Sequence, residues 1–299
     1  EDTVVEVVNW WSSGGEKEAL DALIAVHERR HPGASVVNAV LPDAAAARAR
    51  IDDRVLRLAP PDSYQANVGL DLLRWVLVNG VSDDESKLRP LHPGATAGVS
   101  DWNDVFPAAV TERLGVDGVV YGVPVNIHRI NVLHYNQAIL TEHGLDPPGS
   151  LVELYAAMDT IIAANANRAT TEQVIPLAVG GKDTWAVSAL FFENLLVATA
   201  GVDFFLSYFC GHEPAAAQPM LDALAEATVL WTRVRAGDPD VLERSWTDAV
   251  ALVATGEAAM TVMGDWTKGS LQAAGLEPGQ DFGTVPFPGS APAFVFTSD

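Results

Sequence analysis

The sequence is poor in cations, nearly free of cysteine and without a long uninterrupted apolar run. Lys and Arg total 18 against 39 Asp and Glu, only four of the cations are lysines, and the formal charge is −21. Phosphate recognition draws affinity from clustered cations that release counterions. With so few of them, and a pI near 4.5, nucleic acid and anionic membrane surfaces are not expected partners. A neutral or cationic small ligand stays open, because the charge of a site counts for more than the total. Cys210 is the single cysteine, which excludes an internal disulfide and a thiolate zinc cluster. No activating base accompanies it, and no G-x-S-x-G elbow supplies another nucleophile. The longest apolar stretch, Leu195 to Phe209, is interrupted by Asp203 and is expected to fall short of the roughly 20 residues a spanning helix needs. No leader is read in this numbering, where Glu1-Asp2-Thr3 runs straight into a strand-like segment; the expectation is either a protein that is not exported or one whose leader was removed ahead of it.

What is present is a chain of 299 residues, 48% hydrophobic, which suggests about two domains and enough apolar surface to bury a core. Val4–Val8 reads as a buried strand. Ser13 and Glu16 have the capping-box spacing ahead of a helix. Leu20, Leu23, Ile24 and His27 fall on one helical face, so His27 is expected to pack inward. Pro32 stops that helix. A strand (35–40), an Ala- and Arg-rich helix (44–58), a third strand (63–68) and a further helix (69–79) follow, and strands separated by helices imply parallel pairing. After a stretch punctuated by Gly, Pro and Asp, Val119–Asn136 reads as extended, with Pro124 marking a crossing segment. A second α/β run then begins at Ser150 and Glu153, another capping box. The expected division is an N-terminal lobe over 1–123, a C-terminal lobe over 124–293 and the start of a returning crossover strand at 294–299.

Polar and aromatic groups gather at predicted strand ends, where open α/β sheets bind ligands. Trp10 and Trp11 follow the first strand, and adjacent residues point to opposite faces, so one indole faces away from the core. Gln65 and Asn67 stand two apart on the third strand and share a face. Asn126 and His128 do the same on the crossing segment. Asp265 and Trp266 end another strand, and Trp185 and Trp246 each open a helix. A pyranose ring stacks its apolar face on an aromatic ring while carboxylates and amides take its hydroxyls. Burying those groups is costly unless each is paired, which gives selectivity. Two enzymatic alternatives use other pairs: His27-Glu28-Arg29-Arg30-His31 matches the zinc-protease pattern H-E-x-x-H, and Glu16 with Asp265 supplies the two carboxylates of a glycosidase. A third alternative keeps the fold and has lost its ligand.

The segments Trp10-Trp11 with Gly14-Gly15-Glu16, Pro60-Pro61-Asp62-Ser63-Tyr64-Gln65, Val123–Arg129, Ser245-Trp246 and Val262–Trp266 carry a resemblance. They resemble the bacterial extracellular solute-binding proteins of ABC sugar importers, the broad class of maltose-binding protein, and within it the glucose and monosaccharide binders. The resemblance implies a two-lobed, type II periplasmic-binding-protein-like α/β fold with the ligand in a cleft that closes by hinge motion. It implies Trp10, Trp11, Glu16 and Gln65 as ligand-binding residues on the first lobe. On the second it implies His128, Trp185, Trp246, Asp265 and Trp266. Asn67 stands where glucose-binding relatives carry a histidine, and relatives continue past Asp299 with helices that complete both lobes. A non-catalytic, monomeric receptor without cofactor or metal is therefore expected, periplasmic or extracellular and compatible with a lipid anchor. Its partners would be a sugar and the permease subunits of an importer.

Overall fold

The structure is a computed structural model and describes residues 3–12, 14–79, 88–91, 105–210 and 217–299. The chain separates into two compact units: Glu1–Ile127 with Thr297–Asp299, and His128–Phe296. The chain thus passes between units at Ile127/His128 and Phe296/Thr297, a few residues beyond the expected positions 123/124 and 293/294.

In the first unit β1 (Thr3–Asn9) is rich in valine, whose branched side chains suit a pleated surface. It pairs in parallel with β2 (Ala34–Val40), Thr3 opposite Ala34 through Asn9 opposite Val40. Its other edge holds β3 (Ser63–Tyr64), giving a sheet of order β2-β1-β3 among the described residues. Between them run α1 (Gly14–Arg30) and α2 (Ala44–Leu56). Asp43 caps α2, its side chain accepting from Ala46 N–H at 2.8 Å. Ala47, Ile51 and Val55, four apart, are the face that helix buries against Val8. By contrast α1 buries none of its residues. Helix α3 (Leu70–Asn79), the short α4 (Ala108–Thr111) and a hairpin of β4 (Gly115–Val116) and β5 (Val119–Val120) build a second small core around Leu72, Leu73, Val76, Leu114 and Tyr121. Ser13, half of the first expected capping box, and Trp102 lie outside the described residues.

The second unit starts at β6 (His128–Arg129) and continues directly into β7 (Val132–Asn136). Helices α5 (Gln137–Glu142) and α6 (Leu151–Asn165) follow, then β8 (Ile175–Ala178). The Ser150–Glu153 capping box forms at the start of α6 as expected. A π-helix over Ala186–Phe192 leads into α7 (Glu193–Cys210), and then come α8 (Ala217–Gly237), α9 (Trp246–Thr255), β9 (Ala258–Val262), α10 (Thr267–Ala273), β10 (Phe282–Pro286) and β11 (Phe296–Thr297). The sheet order is β10-β7-β9-β8 among the described residues. Only β8 and β9 pair in parallel; β7 is antiparallel to both its neighbours. The parallel pairing expected of the first strands and helices is found there, β1 with β2 and β3; β7 belongs to the segment expected only to be extended, and with no crossover helix before it, it enters its sheet in the opposite sense. Leu133, Leu154, Met158, Ile161, Leu177, Leu195 and Met260 are fully buried in the core beneath it.

Two further expectations change. The helical run Ala186–Phe209 spans 24 residues and holds an 18-residue window of mean hydropathy 1.6, long and apolar enough to cross a membrane by length and composition alone. The apolar turns over Ala186–Phe192, ahead of the stretch expected from Leu195, supply the extra length. Within the run Gly201 is non-helical (φ 81°, ψ 172°), and Leu195, Leu196 and Val197 are buried in the unit's interior. On α1, His27 is exposed, not inward-facing, since among the described residues no layer buries that helix face.

Candidate functional site

In the second unit five of the expected residues come together. Asp265 follows β9 in a turn whose backbone is fixed by Asp265 N–H donating to Arg129 O at 2.9 Å. Its carboxylate answers in two directions. Oδ1 meets His128 Nδ1 at 2.8 Å, and Oδ2 accepts Arg129 N–H at 3.0 Å. Burial is the largest single influence and opposes ionisation, but the hydrogen bonds from His128 and Arg129 together hold the carboxyl below its ordinary value. Asp265 is thus an anion oriented at the protein surface, with 43% of its side chain exposed against 15% for His128.

Trp266 lies edge-on to His128, ring centroids 5.1 Å apart at 79°. Trp185 lies 6.4 Å from Trp266 and 6.5 Å from Trp246. Trp185 is 41% exposed, so its indole is held without full burial, as an aromatic awaiting a partner would be. Beneath the turn His134 is fully buried on β7. Its Nε2 lies 3.2 Å from Gly264 O and 3.3 Å from Met263 O, so Nε2 carries the proton and donates to the carbonyls that lead into Asp265. Burial pushes His134 down to about 4, against those hydrogen bonds. Gly264 has no room for a side chain: a Cβ there would meet the Trp266 ring at 2.0 Å. A cavity of about 210 Å³ borders Asp265, Arg129, His134 and Lys268 but touches none of the three indoles. In the aromatic cluster Trp246 and Trp266 are half-buried against a small core and Trp185 is exposed, which makes it the better candidate for ligand recognition.

The first unit disposes its expected residues differently. Trp10 N–H donates to Gln65 Oε1 at 3.1 Å, and the Arg48 guanidinium lies 5.4 Å from the Trp10 ring centre. Gln65 Nε2 is buried with no protein partner among the described residues. Trp11 is the core indole of the pair, 5% exposed, with its N–H backbone donating to Asn9 Oδ1. The third strand ends at Tyr64, so Gln65 and Asn67 stand in the loop beyond it and strand alternation does not set their faces. With its amide assigned to satisfy both ends, Asn67 donates to Asp299 Oδ1 and accepts from Arg48 Nη2 at 3.1 Å. Asn126 donates to Asp299 Oδ2 at 3.2 Å and accepts Asp299 N–H at 3.1 Å. These two amides hold the returning strand. Glu16 sits in the first turn of α1, half-buried.

Sequence reasoning missed Arg48, which pairs with Asp71 at 3.0 Å, and Asp183, which accepts Trp246 N–H at 2.6 Å. Arg48 looked like one of several surface arginines on α2; Asp183 carried no motif. His27 and His31 stack 4.8 Å apart on an exposed helix end, and among the described residues no group of three or more His, Cys, Asp or Glu is placed to hold a metal. Glu16 and Asp265 belong to different units.

A sequence model of the family described as bacterial extracellular solute-binding protein matches residues 83–299. An ABC transporter extracellular-binding protein of Pyrococcus horikoshii is 32% identical over 286 residues, 95% of this chain and 60% of that protein. A probable sugar-binding periplasmic protein of Brucella suis is 30% identical over 297 residues, 99% of this chain and 65% of that protein. The chain thus spans 60–65% of the length of these curated relatives. Among solved structures, an ABC transporter solute-binding protein from Thermotoga lettingae bound with α-D-tagatose matches with a TM-score of 0.76 at 19% identity, covering 99% of this chain and 71% of that one. At that identity the likeness establishes the mixed α/β solute-binding-protein fold.

Proposed function

The chain belongs to the bacterial extracellular solute-binding protein family, and from that premise we propose that it captures an uncharged sugar for an ABC importer. The class of ligand is a glucose-like monosaccharide or short oligosaccharide. The observation that carries this reading is the cluster of Trp185, Trp246 and Trp266 around the His128–Asp265 pair. An indole face accepts the C–H face of a pyranose, and a fixed, ionised carboxylate accepts two hydroxyls with charge-assisted hydrogen bonds. A ligand lacking those hydroxyls would leave the remaining lone pairs of the carboxylate without a ligand partner, which favours polyhydroxylated ligands. The names of the relatives and the sugar in the Thermotoga structure agree with this class of ligand. The protein acts by binding, without catalysis, outside the cytoplasm, as a monomer that delivers its sugar to permease subunits.

A thermal-shift panel of monosaccharides and short oligosaccharides, followed by calorimetry, tests it. At least one sugar should raise Tm, and micromolar affinity would correspond to about −8 kcal/mol. Asp265→Ala and Trp185→Ala should each weaken that sugar's binding by about tenfold or more. A silent panel, or both variants binding like the wild type, would overturn the assignment.

A further inference from the structure

Two of the three clustered indoles have an unusual feature in common: a single residue touches the backbone that launches each. Trp246 is the first residue of α9, and its N–H is one of the donors a helix start leaves without an intrahelical acceptor. The cap residue Ser245 serves Asp248 N–H instead, at 3.2 Å. Asp183, from the loop after β8, reaches across and takes Trp246 N–H on Oδ2 at 2.6 Å. A carboxylate at that place also meets the positive end of the helix dipole.

The same residue starts the other element. Asp183 O accepts from Ala186 N–H at 2.9 Å and Val187 N–H at 3.4 Å, the first bonds of the turn that carries Trp185 into the π-helix. Asp183 N–H donates to Gly180 O at 3.1 Å, and Lys182 N–H donates to Arg244 O at 3.0 Å. The loop therefore lies flat against the approach to α9. Gly180 and Gly181 make this contact possible, since a Cβ at Gly180 would meet Trp246 Cα at 2.6 Å and one at Gly181 would meet Val241 O at 2.4 Å. Arg244 is in turn anchored to the fully buried Asp238 at 2.7 Å. Trp185 is 41% exposed, and this loop joins the backbone ahead of it to the start of the helix that carries Trp246.

We propose that Asp183 is a positioning residue for sugar recognition: it locks Trp185 and Trp246 into one aromatic platform. Its carboxylate fixes the start of α9 and its carbonyl fixes the start of the π-helix. It does not itself need to meet the ligand. The proposal rests on the sugar-binding reading for its consequence and on geometry alone for its mechanism, and the two are tested separately. Two indoles 6.5 Å apart at 65° couple excitonically, and circular dichroism of the sugar-free protein reports their mutual orientation.

Asp183→Ala removes the side-chain acceptor and leaves the carbonyl, Asp183→Asn retains an oxygen in its place, and Trp246→Phe leaves only the signal of the Trp185–Trp266 pair. Asp183→Ala is expected to lose most of the Trp185–Trp246 contribution, approaching Trp246→Phe, and to weaken sugar binding about tenfold, the scale of a lost helix cap. Asp183→Asn is expected to keep both close to wild type. An unchanged couplet in Asp183→Ala overturns the proposal, and so does loss of the couplet in Asp183→Asn, which decides the matter if the alanine variant does not fold. If the wild type binds no sugar, the functional reading fails while the couplet still tests the positioning role.

Discussion

The two units are written in the same alternation of strand and helix, yet they bury it to different degrees. In the second unit every residue of β9 is buried, and so are the first four of β7. In the first, β1 is buried only at its end, at Val8 and Asn9, and β2 mixes exposed and half-buried positions, with Val4, Val37 and Val40 44–58% exposed. The valines of the two units are chemically alike. What differs is the layer above them: α6, α8 and α9 close over the second sheet, whereas α1 rests near β2 without burying a residue. The lesson extends to function. In the second unit His128, Asp265 and the indoles gather about one turn, with Asp265 and Trp185 partly exposed; in the first, Asn67 and Asn126 hydrogen-bond to Asp299.

The sharpest way to break this comparison is in the closed core. Leu154 is fully buried on α6 among Met158, Ile161 and other apolar residues. Leu154→Ala should cost about 3–4 kcal/mol, the lost transfer energy plus the cavity left behind, measured by denaturant unfolding. A cost near 1 kcal/mol would mean that the second unit relaxes as freely as the first, and the distinction would fall.

A smaller effect is hidden in the pH dependence of the same unit. His134 is held down to about 4 from an ordinary 6.5 by burial. Between those values the unfolded chain takes up a proton and the native one does not, so stability falls as pH falls. Glu193 is pushed the other way by burial, up to about 7 from 4.5. There the native chain holds a proton that the unfolded chain has released, so stability falls as pH rises. Over their shared window the two slopes oppose each other, and Tm should change little on their account. Glu193→Gln should uncover the His134 slope, a loss of up to about 3 kcal/mol on acidifying through that window. His134→Asn should uncover the opposite slope. Parallel pH profiles in both variants would show that neither group is closed off from water.

How far the sequence reveals this follows from the range of each interaction. Capping boxes act over three residues, so Ser150–Glu153 is readable from its letters and forms. The aromatics and Asp265 are readable because strand ends are where α/β folds place ligand groups. Strand direction in the second unit is not, since β7 follows the crossing segment with no helix to dictate its sense. The fate of Asn126 is not either, because its partner lies 173 residues away. Polarity at a strand end announces a need for hydrogen bonds without saying whether a ligand or the chain itself meets it. Asp183 was invisible for the converse reason: its acceptor role serves a backbone N–H, and any residue could have supplied that donor.

The smallest expected effect probes the open side. Leu23 continues the apolar face of α1, a pattern that would ordinarily place it in a core, yet it is 50% exposed. Alanine is the better helix former by a few tenths of a kcal/mol, and that gain offsets part of the surface lost when the leucine is truncated. Leu23→Ala should therefore change unfolding free energy by no more than about 0.5 kcal/mol in either direction. The leucine and Leu154 are the same side chain on helices of similar length, so the gap between their alanine costs measures the difference in covering layers directly. A cost of about 2 kcal/mol or more at Leu23 would place an apolar partner against α1 in solution, and the first unit would then be as closed as the second.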